Sequence, residues 1–252
     1  MLKALFGRNK RPHQAPASVS PTERVYAIGD IHGRADLLNQ IVGRIDADIA
    51  RFDDARRPRL ILMGDYIDRG DESARVLAIV MKLANAGAVC LLGNHEAALL
   101  DFLRDPVKGT AWLEFGGLQT LASYGVAIPD QRNARSLHTA AEALASAMGP
   151  HLAFLRSDLP LAHQSGNVVF VHASLEPAIP LDKQDAGVLL WGSPAFLKEG
   201  WRSDSVVVHG HYAAETVRQR PGRICIDTGA YYTNCLTALR LDDTTDLIQT
   251  GQ

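Results

Sequence analysis

The sequence predicts an α/β fold built on a parallel sheet, and three observations predict it. Short apolar runs rich in β-branched residues alternate with longer segments of helical period. The segments joining the first three runs are long enough for crossover helices. The runs end in bare polar residues rather than hairpin turns: "AIGDIHG", "LMGDYIDRG", "LLGNHE", "VFVHAS" and "VVHGHY".

Order begins at "RVYAIGD", a strand closing on Gly29-Asp30. "ADLLNQIVGRIDADIARF" follows, with Leu37, Leu38, Ile41, Ile45 and Ile49 on one helical face. "RLILMGD" is the second strand. "DESARVLAIVMKLANAG" is the second helix, with acids in its first turn and Gly87 as its stop. "AVCLLGNHE" is a third strand leading into another helix. From 110 to 161 the pattern turns helical and Ala-rich, an insertion over the sheet rather than a domain. Strands return in "NVVFVHAS", "SVVVHGH", "RICIDTG" and "CLTALRL", and the Gly-containing loop between the last two predicts an antiparallel closing pair.

The chain has 252 residues, 46% hydrophobic and 21% charged, which suits one large α/β domain over 23–242. A formal net charge of -2 gives no basic field for bulk nucleic-acid binding. Three scattered cysteines form neither a disulfide framework nor a zinc cluster, and they fit a reducing, cytoplasmic setting. No run approaches the ~20 apolar residues of a transmembrane helix. Residues 1–22 lack the order of charge and apolar core of a signal peptide and read as a disordered basic leader. Residues 243–252 read as a tail. Oligomeric state is not legible.

In an open α/β sheet the carboxyl ends of the strands form the ligand crevice. Asp30, His32, Asp65, Asn94, His172 and His211 therefore gather at one edge. Carboxylates, an amide oxygen and imidazoles suit manganese, iron or zinc rather than calcium, and the absence of thiolates argues against a structural zinc site.

With G-D-x-H-G at 29–33, G-D-x-x-D-R-G at 64–70 and G-N-H-E at 93–96, followed by His172-Ala173 and Gly210-His211, the chain resembles the calcineurin-like metallophosphoesterases. Within them it is most similar to the phosphoprotein-phosphatase branch, with its small bacterial and phage-type members and the related symmetrical diadenosine tetraphosphatases. The likeness spans roughly 24–241, including "WLEFGGLQTLASYG" and "ICIDTGA". It implies two mixed β-sheets packed as a sandwich flanked by helices, with the helical insertion beside the site.

The resemblance also implies two divalent ions, manganese first, with iron, zinc or nickel as alternatives. Asp30 and His32 would hold one, Asn94, His172 and His211 the other, and Asp65 would bridge them. His209 would stay outside the ligand set. Water activated by the ions would attack phosphorus in line, His95 would protonate the leaving oxygen, Asp68 would orient His95, and Arg69 would clamp the phosphate with Asn94 beside it. Two positions depart from the family pattern. Ser193 stands where bacterial relatives carry a second phosphate-binding arginine, for which Arg202 is the candidate substitute, and Tyr212 replaces the usual threonine.

The leading expectation is a phosphomonoesterase, with phosphoserine or phosphothreonine in a protein as substrate. The alternative is a symmetrical dinucleoside tetraphosphate hydrolase, with nucleotide-capped RNA ends in the same class. A second alternative is a metal- and phosphate-binding regulator without turnover. The nucleotide reading calls for stacking groups, for which Trp112, Phe115, Tyr124, Trp191, Trp201 and Tyr212 are available, Trp112 and Tyr124 first.

Overall fold

The structure is a computed structural model that describes residues 16–129, 131–176, 179–199 and 205–251. The first half of the chain holds β1 (Glu23–Ile28), α1 (Ala35–Ile49), β2 (Arg57–Leu62), α2 (Ser73–Asn85), β3 (Val89–Cys90) and α3 (Asn94–Arg104). A 3-10 stretch over Lys108–Phe115 leads to α4 (Gly117–Ser123), α5 (Ala134–Met148) and α6 (Pro150–Arg156). The second half holds β4 (Ala162–Ser165), β5 (Val168–Val171), α7 (Ala186–Trp191), α8 (Pro194–Glu199) and β6 (Val206–His209). Next come β7 (Arg218–Arg220), β8 (Arg223–Cys225), α9 (Ala230–Thr233), β9 (Thr237–Leu241) and β10 (Thr245–Gln249).

The strands form two mixed sheets, ordered β10-β9-β1-β2-β3 and β4-β5-β6-β8-β7. In the first, β1, β2 and β3 are parallel while β9 and β10 add on antiparallel. In the second, β5, β6 and β8 are parallel, and β4 and β7 are antiparallel outer strands. The two-residue period of a strand sorts the side chains. Val25, Ala27, Ile61, Met63, Val168, Phe170, Val206 and Val208 meet between the sheets. Tyr26, Ile28 and Leu62 face α1, α2 and α3 instead, against Leu38, Ile41, Val76, Val80 and Leu99. Val169, Val171 and Val207 face the opposite way, under Leu189 of α7 and Phe196 of α8. A one-residue slip would exchange these faces at about 1.5–3 kcal/mol for each large side chain exposed, so register is firmly held.

Several boundaries differ from the sequence expectation. Residues 16–22 are packed rather than part of a disordered leader. Val19 enters the inter-sheet core, the Asn167 side chain accepts from Ser18 N–H (2.7 Å) and donates to the Pro16 carbonyl (3.0 Å), and Ser20 N–H donates to Ser165 Oγ. Residues 1–15 lie outside the described residues. The expected tail is largely β10, whose Leu247 pairs with Leu239 and whose Ile248 packs on the helical core. The expected antiparallel pair of "RICIDTG" and "CLTALRL" does not form. β8 lies in the second sheet and β9 in the first, so the segment between them crosses the sandwich. Within the helical segment 110–161, α5 and α6 are separated at Gly149-Pro150, where proline's fixed φ suits a new first turn. Among the described residues no helix is long and apolar enough to cross a membrane.

Candidate metal centre

The parallel strands of both sheets deliver polar residues to one edge. β1 is followed by Asp30 and His32, β2 by Asp65, β3 by Asn94, β5 by His172 and β6 by His211. The chain reverses sharply at these ends. His32, Asp65, Asp68, Arg69 and His211 all hold positive φ, between 45° and 72°. Such backbone costs about 1–3 kcal/mol at a residue with a side chain, and it clusters where function over-determines geometry. Here main-chain hydrogen bonds hold it: Ile31 and His32 N–H both donate to the Asp65 carbonyl (3.0 and 2.9 Å). Two motif glycines are demanded by close approach. A Cβ on Gly93 would stand 2.3 Å from Asp65 Oδ1, and one on Gly210 would stand 1.9 Å from Asp30 Oδ1.

Asp65 is buried at the centre. Its Oδ2 lies 3.5 Å from His32 Nε2 and 3.9 Å from His95 Nε2, while Oδ1 lies 3.5 Å from His172 Nε2. One carboxylate oxygen thus faces each of two groups, His32-Asp65-His95 and Asp65-His172-His211, whose ligand-capable atoms lie within 4.8 Å of one another. Asn94 Oδ1 joins the second group, 2.8 Å from both His172 Nε2 and His211 Nδ1. His95 is thus a member of the first group, slightly farther from Asp65 than His32 is.

The ring tautomers follow from their partners. His32 Nδ1 can only donate to the Ile67 carbonyl (2.9 Å), and His172 Nδ1 only to the Met63 carbonyl (2.9 Å). In the neutral rings each Nε2 then presents a lone pair to the cluster, as a metal-ligating histidine oriented by an outer carbonyl does. Burial lowers His32 to about 3 and His211 to about 4, favouring the neutral, ligating form. Burial opposes ionisation of Asp65, but the surrounding His172, His95 and His32 outweigh it and hold its carboxyl below the ordinary range.

These residues fit divalent ions. Asp30 Oδ2 accepts from His211 N–H (2.9 Å), but its buried Oδ1 has no hydrogen-bond partner. Burial raises Asp30, and the charges of Asp227 and Asp65 raise it further. A buried carboxylate facing two others is unfavourable without a cation. The donors gathered here are carboxylates, an amide oxygen and imidazoles, a set that suits a divalent transition metal.

Beside the cluster, Asp68 is wholly buried and accepts from His95 Nδ1 (2.7 Å), Trp112 Nε1 (2.8 Å) and Thr120 Oγ1 (2.6 Å). Burial lowers the basicity of His95, but Asp65 and the Asp68 hydrogen bond outweigh it, so His95 is raised. Arg69 reaches across both groups, its Nη1 donating to His32 Nε2 (3.0 Å) and Nη2 to His95 Nε2 (3.1 Å), with its guanidinium 4.9 Å above the Tyr231 ring. Arg202 and Trp201 lie outside the described residues.

The structure adds residues that the sequence reading did not assign. Glu96, fully buried, accepts from the N–H groups of Asp65, Tyr66, Ile67 and Gly93 at 2.8–3.2 Å, tying two site loops together. It was in plain view as the last letter of G-N-H-E. Asp227 follows β8 and raises Asp30, and the same apolar-then-aspartate pattern in "RICID" announces it. Tyr231, edge-on to His32 at 5.5 Å, carries no sequence signal. Trp112 is not a stacking group: it is buried, held against Phe102 and spent on Asp68. Tyr124 is packed against the helical core and bonded to His151 Nδ1 (2.7 Å), so it is no stacking platform either. His209 is buried beside Phe196 and Tyr212, with Nδ1 donating to the Gly210 carbonyl. The two departures from the family pattern are neighbours: burial raises the Tyr212 phenol, and the Ser193 backbone partly offsets that rise.

A model of the calcineurin-like phosphoesterases matches residues 23–239. The chain belongs to that family. It is accordingly a hydrolase of phosphoester bonds, in a family that uses divalent metals. Among curated relatives, the asymmetrical bis(5'-nucleosyl)-tetraphosphatase PrpE of Oceanobacillus iheyensis is 24% identical, covering 87% of this chain and 89% of its own. The symmetrical bis(5'-nucleosyl)-tetraphosphatase of Aromatoleum aromaticum is 26% identical, covering 87% and 94%. Among solved structures, a putative diadenosine tetraphosphatase superposes with a TM-score of 0.60 at 22% identity, covering 93% and 96%. A cold-active protein tyrosine phosphatase superposes at 0.59 and 15% identity, covering 93% and 78%. These structural likenesses speak for the shared fold.

Proposed function

We propose that this family member hydrolyses dinucleoside polyphosphates, with diadenosine tetraphosphate as the type substrate and cleavage at its middle phosphates. The observation that carries this reading is the likeness to a symmetrical tetraphosphatase over 87% of the chain. It displaces the phosphomonoester reading as first choice. A nucleotide substrate and three free cysteines are both in keeping with a cytoplasmic setting.

Asp30, His32 and Asp65 would hold one divalent ion, and Asp65, Asn94, His172 and His211 a second, manganese first. When bound, the ions supply Lewis acidity that activates water and neutralises phosphate charge. Arg69 spends its two outer nitrogens on the rings of His32 and His95, and a phosphate offers that guanidinium a better, bidentate partner. Its transfer to phosphate releases His95 Nε2. His95, anchored through Nδ1 on Asp68, then carries a proton on Nε2 toward the leaving oxygen. Water oxygen forms the new bond to phosphorus and gives up its proton to solvent, the bond to the leaving phosphate breaks, and the leaving oxygen takes the His95 proton. Asn94 and Arg69 together orient the phosphate.

The test is product analysis with purified protein in manganese and in chelator, on diadenosine tetraphosphate beside p-nitrophenyl phosphate, with Asp65→Asn as control. ADP as sole nucleotide product, dependent on manganese and Asp65, is expected. AMP with ATP would mean asymmetrical cleavage. Turnover of the monoester alone would overturn the reading in favour of a phosphomonoesterase.

A further inference from the structure

We propose that Phe115 and Trp191 form a nucleobase platform at the rim of the centre, an assignment that rests on the dinucleotide reading above. Both residues are 47% exposed. Their centroids are 6.5 Å apart with planes tilted by 59°, so they border one another without stacking face to face.

The two rings reach that rim from opposite halves of the chain, and each is tied to site machinery. Phe115 closes the 3-10 stretch immediately before Gly116. The Gly116 carbonyl accepts from Arg69 N–H (3.3 Å), and a Cβ there would stand 2.8 Å from Arg69 Cγ. Phe115 is thus one residue from a direct contact with the phosphate clamp. Trp191 ends α7, whose Leu189 carbonyl accepts from Ala173 N–H (2.9 Å), the residue after His172. The turn after Trp191 is held from the other side as well. Gly192, at φ +84°, leaves the room that the Tyr212 hydroxyl fills, 1.8 Å from where a Cβ would be. Tyr212 follows His211 directly, with the two rings 4.8 Å apart. An exposed aromatic pair is therefore anchored at one end to Arg69 and at the other to His172 and His211.

Phosphates held by Arg69 bring the rest of a ligand close to Gly116, and so toward Phe115 and its neighbour Trp191. The occupant that suits this pair has a flat aromatic ring linked to phosphate, which is a nucleobase. Aromatic faces accept any base, so the platform selects nucleotides over other phosphoesters rather than one base over another. The platform acts on binding, not on the bond that breaks.

The experiment compares kcat/KM for diadenosine tetraphosphate with that for p-nitrophenyl phosphate, in manganese, for the full chain and for Phe115→Ser, Trp191→Ser, Phe115→Tyr and Trp191→Phe. Leu247→Ser, exposed on β10, controls for loss of surface hydrophobicity. The serine variants are expected to lower the dinucleotide-to-monoester ratio roughly tenfold or more, the scale of losing one base–aromatic stack, through KM rather than kcat. The aromatic replacements restore it, and Leu247→Ser leaves it unmoved. Full dinucleotide cleavage by the wild type with an unaltered ratio in both serine variants would overturn the platform while leaving the substrate reading intact. No dinucleotide cleavage by a wild type active on the monoester would remove the substrate reading, and the platform with it.

Discussion

Replacing Asp68 by asparagine removes a charge while keeping the shape of the side chain. Asp68 Oδ2 meets two committed donors, His95 Nδ1 and Trp112 Nε1, whereas Oδ1 meets only the Thr120 hydroxyl. An asparagine can place its carbonyl oxygen toward the two fixed donors and its NH2 toward Thr120. The Thr120 oxygen also receives Asp68 N–H (3.0 Å) and shares a hydrogen with Ser73 Oγ (3.0 Å), so it can accept from the new amide and donate onward to Ser73. The fold is therefore expected to survive. What changes is the His95 bond, from charge-assisted to neutral. Charge-assisted bonds contribute about 1.5–3 kcal/mol and neutral ones about 0.5–1.5, a difference of about 1.5 kcal/mol. At 1.36 kcal/mol per decade that is roughly a tenfold loss of proton-donating capacity at His95. The assay is kcat over a series of aryl phosphates of graded leaving-group basicity, in saturating manganese. Asp68→Asn should lose roughly tenfold on the most basic leaving groups and little on p-nitrophenyl phosphate, because only a basic leaving oxygen needs the proton. An equal loss across the series, or a fall in bound manganese, would refute the assignment of His95 and Asp68 as proton donor and orienting carboxylate.

Two further outcomes follow from contacts elsewhere. Gly210→Ala places a methyl group 1.9 Å from Asp30 Oδ1 and must displace that carboxylate, so manganese affinity measured by calorimetry should fall roughly 10- to 100-fold; unchanged affinity and stoichiometry would count against Asp30 as a ligand. Asp242, 5% exposed, accepts from Arg24 Nε (2.8 Å); burial opposes its ionisation, but the Arg24 hydrogen bond, those from Thr244 and the Arg240 charge together outweigh it and lower its pKa. A carboxyl depressed in the folded state stabilises fully above its unfolded pKa, and that contribution is lost as pH falls through the folded value. Asp242→Asn should therefore cost about 2 kcal/mol at pH 7, and the gap to wild type in urea melts should narrow below about pH 4; a gap constant with pH would contradict the Arg24 pairing.

Local features are written in short windows of the chain. Strand and helix periods, the apolar run before each polar end, and the order of the glycine-rich motifs all lie within short windows. So Asp30, His32, Asp65, Asn94, His172 and His211 could be named, and the structure brings them to one edge. Glu96 and Asp227 lie in the same kind of window, each just after an apolar run. Tertiary structure decided what depends on distant partners. β8 and β9 carry equally good strand patterns, and only the pairing of β9 with β1 sends them to different sheets. Val19 leaves the leader because Asn167, far along the chain, captures its neighbours. Composition gives every aromatic the same standing, whereas packing buries Trp112 on Asp68 and leaves Phe115 and Trp191 exposed at the rim. Burial is a property of the assembled layers, and no window of sequence contains it.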